Sequence, residues 1–348
     1  MRFLETEHHE GFCIYRNGHG PVWVCPHAGP SIKRMGTRDS GSDAIASLCW
    51  SKTGGTLIIS NTPRNRVVGI DFNRHLPPKD MALIFWDIMT SNSERAEWYR
   101  SNYAFVAKNE EDYERKRSIY EEFWNSVKGA GNIIIFMHTQ NTTLKNFPSL
   151  MDVITYKGDG VDKNLVSEIV DEINNKYELM FKKMEKPYKN AIFLEELRFI
   201  NDVLRKRGEF TLEAAKRYSK ARVVKTIGVI KKYVDSEAYE GLIERFNERE
   251  FMKAVMLVLR KDIAPKVTVE LNFFGDMAKK IKKLFVFKKN IVMDIELNLF
   301  LNKWYPDIAA SIVLHILSRI TSIERYRKLA IKQTRITNFL DRTSSIFS

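Results

Sequence analysis

Short apolar runs bounded by turn residues mark the first 160 residues of the chain, and they predict buried β-strands. The runs cover residues 22–25, 56–60, 67–70 and 132–137. Continuous runs of this length suit strands that are covered on both faces. Between them, residues 112–127 combine charged residues with apolar residues at helical spacing. Strands that alternate with helices predict an α/β fold of three layers, in which helices flank a mostly parallel mixed sheet.

The middle of the chain differs, because residues 164–262 show helical periodicity with almost no strand pattern. Apolar residues recur four positions apart at Leu165, Ile169 and Ile173, and similar spacing continues to about residue 260. A stretch of about 100 residues with this pattern predicts a large helical insertion. The sequence leaves open whether such an insertion is a lid or a docking module for a partner.

Strand patterns return after the helical stretch, at residues 267–271 and 291–296. A final helix is expected from Pro306 to about residue 328, with the proline in its first turn. We therefore expect the first part of an α/β core, a helical insertion, and a completion of the core with the last strands and the C-terminal helix, at residues 1–163, 164–262 and 263–348.

The 348-residue chain carries a net charge of +13, and most of the excess lies near its C-terminal end. Residues 264–348 hold 15 basic and 7 acidic side chains, a net of +8. A basic segment attracts anionic partners, so weak binding of an anionic partner to this quarter is one hypothesis. A solvated lysine-rich surface is the simpler interpretation, because the chain shows no zinc-finger or helix-turn-helix signature.

The cysteines are few, and their spacing excludes two common roles. Cys13, Cys25 and Cys49 contain no C-x-x-C pair, so neither a disulfide framework nor a zinc ribbon is expected. A reducing compartment fits this usage, and we expect a cytoplasmic protein. The first residues lack the apolar segment of a signal peptide, and no stretch reaches about 18 uncharged apolar residues, so no membrane span is expected.

Two histidines follow predicted strands and are the first candidates for chemistry. His27 comes directly after the strand at residues 22–25, and His138 comes directly after the strand at residues 132–137. Ligands of α/β proteins gather beyond the carboxyl ends of the strands. Asp43 lies in a loop that opens a helix and could equally be a helix N-cap. Two histidines and one carboxylate form a usual ligand set for catalytic zinc, so we predict a Zn²⁺ site of His27, Asp43 and His138.

Three arginines and an asparagine surround the strand predicted at residues 67–70. Asn73 and Arg74 follow that strand, and Arg66 and Arg64 precede it. A guanidinium pairs with a carboxylate through two hydrogen bonds, and an asparagine adds a donor to the same anion. We predict that Arg66, Asn73 and Arg74 bind a small carboxylate-bearing substrate. For Arg64, an exposed position in the loop is an equally good interpretation.

These features together resemble the N-formylglutamate amidohydrolases, a family similar in fold to the zinc carboxypeptidases. The resemblance is carried by His27 in PHAG, Asp43 in GSD, His138 in MHT and the segment at residues 66–74. It implies that the D-x-N-R sequence at residues 71–74 supplies the asparagine and arginine that hold the substrate carboxylate. The helical stretch at residues 164–262 has no counterpart in the typical family member.

The resemblance also implies a catalytic carboxylate on a strand shortly before the C-terminal helix. Glu270 and Glu296 both fit this description. Glu296 is preferred, because the segment from residue 291 into the final helix is more similar to the end of the amidohydrolase fold. An acid at the end of an apolar strand is unfavourable unless it is paired or functional.

The sequence therefore predicts a zinc-dependent hydrolase that cleaves an amide bond in a carboxylate-bearing substrate. Glu296 or Glu270 would be the general base, and Zn²⁺ would be the cofactor. The alternative is a nucleic-acid-associated or scaffold protein that keeps a hydrolase-like fold. That alternative is motivated by the basic C-terminal quarter and by the helical insertion.

Overall fold

A single eight-stranded sheet forms the centre of the protein. The computed structural model describes residues 4–31, 38–64, 67–89, 93–271, 276–287 and 291–321. The strands are β1 Glu5–His9, β2 Phe12–Asn17, β3 Val22–Cys25, β4 Gly55–Ser60, β5 Ile133–Gln140, β6 Ser149–Ile154, β7 Lys266–Val269 and β8 Ile291–Asn298.

The sheet is mixed, with its parallel strands at the centre. The order is β1-β2-β4-β3-β5-β8-β6-β7. Strands β4, β3, β5 and β8 are parallel neighbours, whereas β2 pairs antiparallel with β4 and β6 pairs antiparallel with β8. The carboxyl ends of the four central strands therefore meet at one edge of the sheet. The loop from β5 to β6 crosses that same edge, because β6 begins where β8 ends.

Helices cover both faces of this sheet. Residues alternate along β5 and β8: Ile135 and Met293 point into one apolar cluster, and Phe136 and Val292 point into another. This arrangement confirms the predicted α/β class with helices on both faces of a mixed sheet. The helices are α1 Ser42–Thr53, α2 Lys79–Ile88, α3 Glu94–Asn102, α4 Glu110–Gly129, α5 Lys163–Lys176, α6 Glu178–Arg207, α7 Leu212–Tyr233, α8 Ser236–Glu244, α9 Glu248–Leu259, α10 Asp276–Phe285, α11 Leu299–Trp304 and α12 Pro306–Thr321.

Side-chain caps explain where several of these helices begin. Asn109 accepts a hydrogen bond from the amide of Asp112 at the start of α4, and Asp162 does the same for the first amides of α5. Thr211 caps α7 in the same way. Each cap satisfies amide groups that the first helical turn leaves unpaired. Within the described ranges, no helix is long and apolar enough to cross a membrane.

The predicted helical stretch consists of the five helices α5–α9, which lie between β6 and β7. Because β6 and β7 are parallel neighbours, these helices form the crossover connection between two adjacent strands. Their buried residues share one apolar cluster with α1, α12 and one face of the sheet. The α7 backbone departs from helical geometry at Ser219, where the helix bends.

Two sequence predictions about the strands differ from the structure. Residues 67–70 form a turn, because Gly69 presses against the carbonyl of Pro63 and the Ile70 amide donates to that carbonyl at 2.9 Å. The apolar pattern there reflects the burial of Ile70, whereas Val68 is half exposed. Strands β1, β2 and β6 were not predicted, and β6 is the antiparallel neighbour of β8. The final helix begins at Pro306 as expected, and its predicted end at residue 328 lies outside the described residues.

A buried ion pair joins the insertion to the loop between β5 and β6. In that loop a 3₁₀ turn spans Leu144–Asn146. Glu196 of α6 is fully buried; one carboxylate oxygen accepts from the Leu144 amide at 2.9 Å, and the other pairs with Arg222 of α7 at 3.0 Å. Removal of one partner of a buried pair leaves an uncompensated charge.

We therefore expect Glu196→Ala to lower the free energy of unfolding by about 3–5 kcal/mol. Its matched control is Glu195→Ala, because Glu195 pairs only with Arg198 on the surface and should contribute less than about 1 kcal/mol. Urea denaturation followed by circular dichroism measures both values. Equal losses in the two variants would contradict a structural role for the buried pair.

Candidate metal centre

Two histidines and one aspartate converge at the carboxyl edge of the central strands. His27 follows β3 and His138 lies near the end of β5, and these strands are parallel neighbours. Oδ2 of Asp39 lies 3.1 Å from Nδ1 of His27 and 2.9 Å from Nδ1 of His138. All three side chains are buried, and their potential ligand atoms lie within 4.8 Å of one another. The group is of a kind that can hold a metal ion.

The carboxylate of this group is Asp39, whereas the sequence prediction named Asp43. Asp43 lies in the first turn of α1, where its carboxylate pairs with Arg38 at 2.7 Å. Asp39 lies in the preceding loop, and its amide donates to the carbonyl of His27 at 3.0 Å. This backbone bond fixes Asp39 beside His27, and the start of the helix at Ser42 turns Asp43 towards Arg38. The predicted third ligand is therefore corrected to Asp39.

The outer nitrogen of each histidine contacts a residue of the D-x-N-R segment. Nε2 of His27 lies 2.9 Å from Oδ1 of Asp71, and Nε2 of His138 lies 3.3 Å from the amide nitrogen of Asn73. The backbone amide of Asn73 also donates to Asp71 Oδ1 at 3.0 Å, which holds the two residues together. Such contacts set which ring nitrogen is free to bind a metal. The sequence had assigned Asn73 to the substrate, and the structure places it against His138.

The carbonyl oxygen of the Asn73 amide is buried and has no hydrogen-bond partner. Rotation of this amide by 180° would bring the oxygen to Nε2 of His138 and supply the missing bond. His138 would then carry its proton on Nε2 and present the lone pair of Nδ1 to the centre of the group. The orphaned oxygen therefore fits the tautomer that a metal ligand needs.

The arginines have separate positions. Arg64 donates to Asp71 at 3.2 Å and lies 3.6 Å from the other oxygen of Asp39, so it belongs to the site and not to the solvent. Arg74 donates to the carbonyl of Asn73 at 2.9 Å, and its buried Nε has no partner. Arg66 lies outside the described residues. The structure thus gives Arg64, which the sequence had left open, a defined contact with two carboxylates of the site.

The charges around the group favour ionised Asp39 and neutral His138. Burial opposes the ionisation of Asp39, but His27, His138 and Arg64 hold its pKa well below the usual range. Burial lowers the pKa of His138, although Asp39 acts in the opposite direction. A neutral imidazole and a carboxylate are the forms in which these side chains bind metal ions.

Glu296 lies on β8 directly beside His138. The two Cα positions are register partners of the parallel β5–β8 pair, so both side chains project from the same face. Burial raises the pKa of Glu296 to about 8, and the nearby carboxylates Asp39 and Asp294 raise it further towards that value while Arg64 opposes them. A carboxyl with this pKa exchanges its proton near neutral pH, as a general acid or base must.

Glu270, the other candidate, lies at the opposite edge of the sheet. It follows β7, which runs parallel to β6 and therefore opposite to β8. Its carboxylate accepts hydrogen bonds from the amides of Thr155 and Lys157, at 3.1 and 2.7 Å, and pairs with Lys163. Although burial opposes it, these donors lower the pKa of Glu270. The structure thus assigns Glu270 to the β6–α5 loop and excludes it from the site.

Comparisons of this chain with protein-family models, curated proteins and solved structures find no match. Functional inference therefore depends on the geometry of the buried group and of the residues around it. Among those residues, Asp39 and Asp71 had been given no role from the sequence. Asp71 was part of the D-x-N-R segment, and its position two residues before Asn73 is the signal that could have identified it.

The two glutamates should affect stability in opposite directions. Between its ordinary value of 4.5 and about 8, Glu296 binds a proton in the folded state that the unfolded chain has lost, so stability falls as pH rises. In protein treated with a chelator, Glu296→Gln should raise the free energy of unfolding by about 1–3 kcal/mol above pH 8 and leave it unchanged near pH 4. This range is below the full shift because the side chain is partly exposed.

The matched control is Glu270→Gln, which removes a carboxylate that the fold keeps ionised. It should destabilise the protein at pH 7, and the loss should shrink as pH falls below the ordinary pKa of a glutamate. Urea titrations at pH 4, 7 and 9 measure both variants. A Glu296→Gln protein that is less stable than the parent at pH 9 would contradict the raised pKa.

Proposed function

We propose that this protein is a zinc-dependent hydrolase of an amide bond in a substrate that carries a carboxylate. The observation that carries the proposal is the buried group of His27, Asp39 and His138, whose ligand atoms converge while Asp71 and Asn73 hold the outer nitrogens. The three-layer α/β fold and the resemblance to the N-formylglutamate amidohydrolases support the same function. The cytoplasm remains the expected location.

The residues present fit a zinc ion on chemical grounds. Two imidazoles and one carboxylate are a usual set for catalytic zinc, with a further coordination position left to the reactants. The orphaned oxygen of Asn73 supplies the acceptor that a His138 ligand requires. Bound by these three side chains, zinc would supply a Lewis acid that polarises a carbonyl and acidifies water.

The remaining chemistry belongs to the protein. Glu296 is placed to take a proton from water and return it to the leaving amine, because its carboxyl exchanges protons near neutral pH. The pKa of Glu296 would fall below 8 when a cation occupies the neighbouring group, since an opposite charge favours the carboxylate. Arg74 fits the substrate carboxylate, because its buried Nε lacks a partner and its turn is fixed by Asp71.

The alternative function, binding of nucleic acid through the basic C-terminal quarter, gains no support from the lysines that the structure describes there. Lys282 is fully buried against Asp294 at 2.5 Å. Lys279 and Lys283 both pair with Asp159, at 2.8 and 2.9 Å. These three cations are therefore engaged within the protein, and a hydrolase remains the better proposal.

The metal prediction separates Asp39 from Asp43. Protein purified without added metal, or dialysed against zinc, should hold about one zinc ion per chain. Asp39→Ala and His27→Ala should lose that ion, whereas Asp43→Ala should retain it because Asp43 pairs only with Arg38 among the described residues. Elemental analysis by inductively coupled plasma mass spectrometry measures the content. Equal zinc in the Asp39→Ala variant and in the parent would remove the basis of the proposal.

The activity prediction tests the substrate and the base together. Zinc-loaded protein should release the amine from N-acyl amino acids with a free carboxylate and not from the corresponding amino-acid amides, because Arg74 binds an anion. Glu296→Gln should lower kcat by a factor of about 10²–10⁴. The control Glu195→Gln changes only a surface pair and should leave kcat unchanged. Equal hydrolysis of the acids and the amides, measured by amine release, would contradict the carboxylate requirement.

A further inference from the structure

The helical insertion reaches the carboxyl edge of the sheet, where the candidate site lies. Helix α7 packs against the 3₁₀ turn Leu144–Asn146 of the β5–β6 loop. The buried carboxylate of Glu196 binds the Leu144 amide and Arg222 at the same time. Arg222 also lies over the ring of Phe199, with its guanidinium carbon 4.2 Å from the ring centre. This part of α7 is therefore fixed relative to the loop that follows the His138 strand.

Two lysines of this contact face the acidic end of the site. Lys145 lies in the 3₁₀ turn, and Lys225 lies on α7 one turn after Arg222. Both are partly buried and within electrostatic range of Glu296, and Lys225 is also within range of Asp152, the register partner of Glu296 on β6. The insertion thus adds positive charge beside the proposed general base.

The cations also repel one another. Burial lowers the pKa of Lys145 to about 8, and the charges of Lys225 and Arg222 lower it further in the same direction. The Lys145 ammonium makes no hydrogen bond or ion pair with any residue that the structure describes. Partly buried like charges of this kind are unfavourable unless an anion compensates them.

Two buried polar atoms near this group also lack partners. One is Oε1 of Gln140, which lies two residues after His138 on β5 and whose amide nitrogen donates to the carbonyl of Glu296 at 3.4 Å. The other is Nε of Arg222. Gln140 is 4 % exposed, so water does not reach it freely. An unpaired buried donor and an unpaired buried acceptor are the groups that a polar ligand satisfies.

We propose that Lys145 and Lys225 form an anion subsite of the candidate active site, which binds a second acidic group of the substrate. The ligand is therefore a compound with two anionic groups, one held at Arg74 and the other, a carboxylate or a phosphate, held by the two lysines. Its position within an active site rests on the proposed function, whereas the binding of anions does not. The subsite makes the helical insertion a specificity element of the enzyme.

Titration calorimetry with three small probes at constant ionic strength tests this inference. The probes are butyrate, glutarate and 3-phosphopropionate, which carry one carboxylate, two carboxylates, and a carboxylate with a phosphate. The parent protein should bind at least one of the two larger probes about tenfold or more tightly than butyrate, as expected for an added charge-assisted contact. The tighter of the two identifies the anionic group that the subsite accepts.

The double variant Lys145→Met/Lys225→Met should lose this preference and bind all three probes like butyrate. Its matched control is Lys220→Met, which removes an exposed lysine from the same helix and should keep the preference. Thermal unfolding confirms that each variant is folded. Each single variant, Lys145→Met and Lys225→Met, gives a second comparison if the double variant is unfolded.

Two results would overturn the inference: a parent that shows no preference for the larger probes, or a preference that survives in the lysine variants. The same titrations on His27→Ala separate this inference from the proposed function. If His27→Ala lacks zinc and activity but keeps the preference, the subsite stands independently of the metal. If zinc binding and hydrolysis are confirmed while the preference is absent, the subsite alone is wrong.

Discussion

Parallel pairing of β3, β5 and β8 is the constraint on which the rest of this structure depends. Because the three strands run in one direction, their carboxyl ends meet at a single edge, and the residues that follow or end them come together. His27 and His138 arrive there from sequence positions that are 111 residues apart, and Glu296 arrives from a further strand. A change in the direction of any one strand would remove its side chain from the site.

Electrostatic balance within this edge follows from burial. Asp39 and Asp71 are buried carboxylates, and each is compensated by a histidine and by Arg64. Glu296 shares the site without an ion pair of its own among the described residues, and its pKa is raised accordingly. Three carboxylates at one edge thus have two roles: two remain ionised and orient histidines, and one holds an exchangeable proton.

The crossover between β6 and β7 gives the fold its individual character. A connection between parallel neighbours must cross the sheet, and here it is extended into five helices. The buried Glu196–Arg222 pair attaches those helices to the loop after β5. One structural feature therefore completes the apolar core on one face and brings the cations of α7 to the edge where the site lies.

The sequence by itself determined the elements with strong local periodicity and the positions where strands end. The run that became β5 and the position of His138 at its end were both readable, as were the helical stretch and the start of α12. Strand direction and register were not, because they depend on pairing between distant segments. Only the tertiary structure distinguished Glu296 from Glu270, since β7 runs opposite to β8, and only a backbone bond from Asp39 to His27 decided against Asp43.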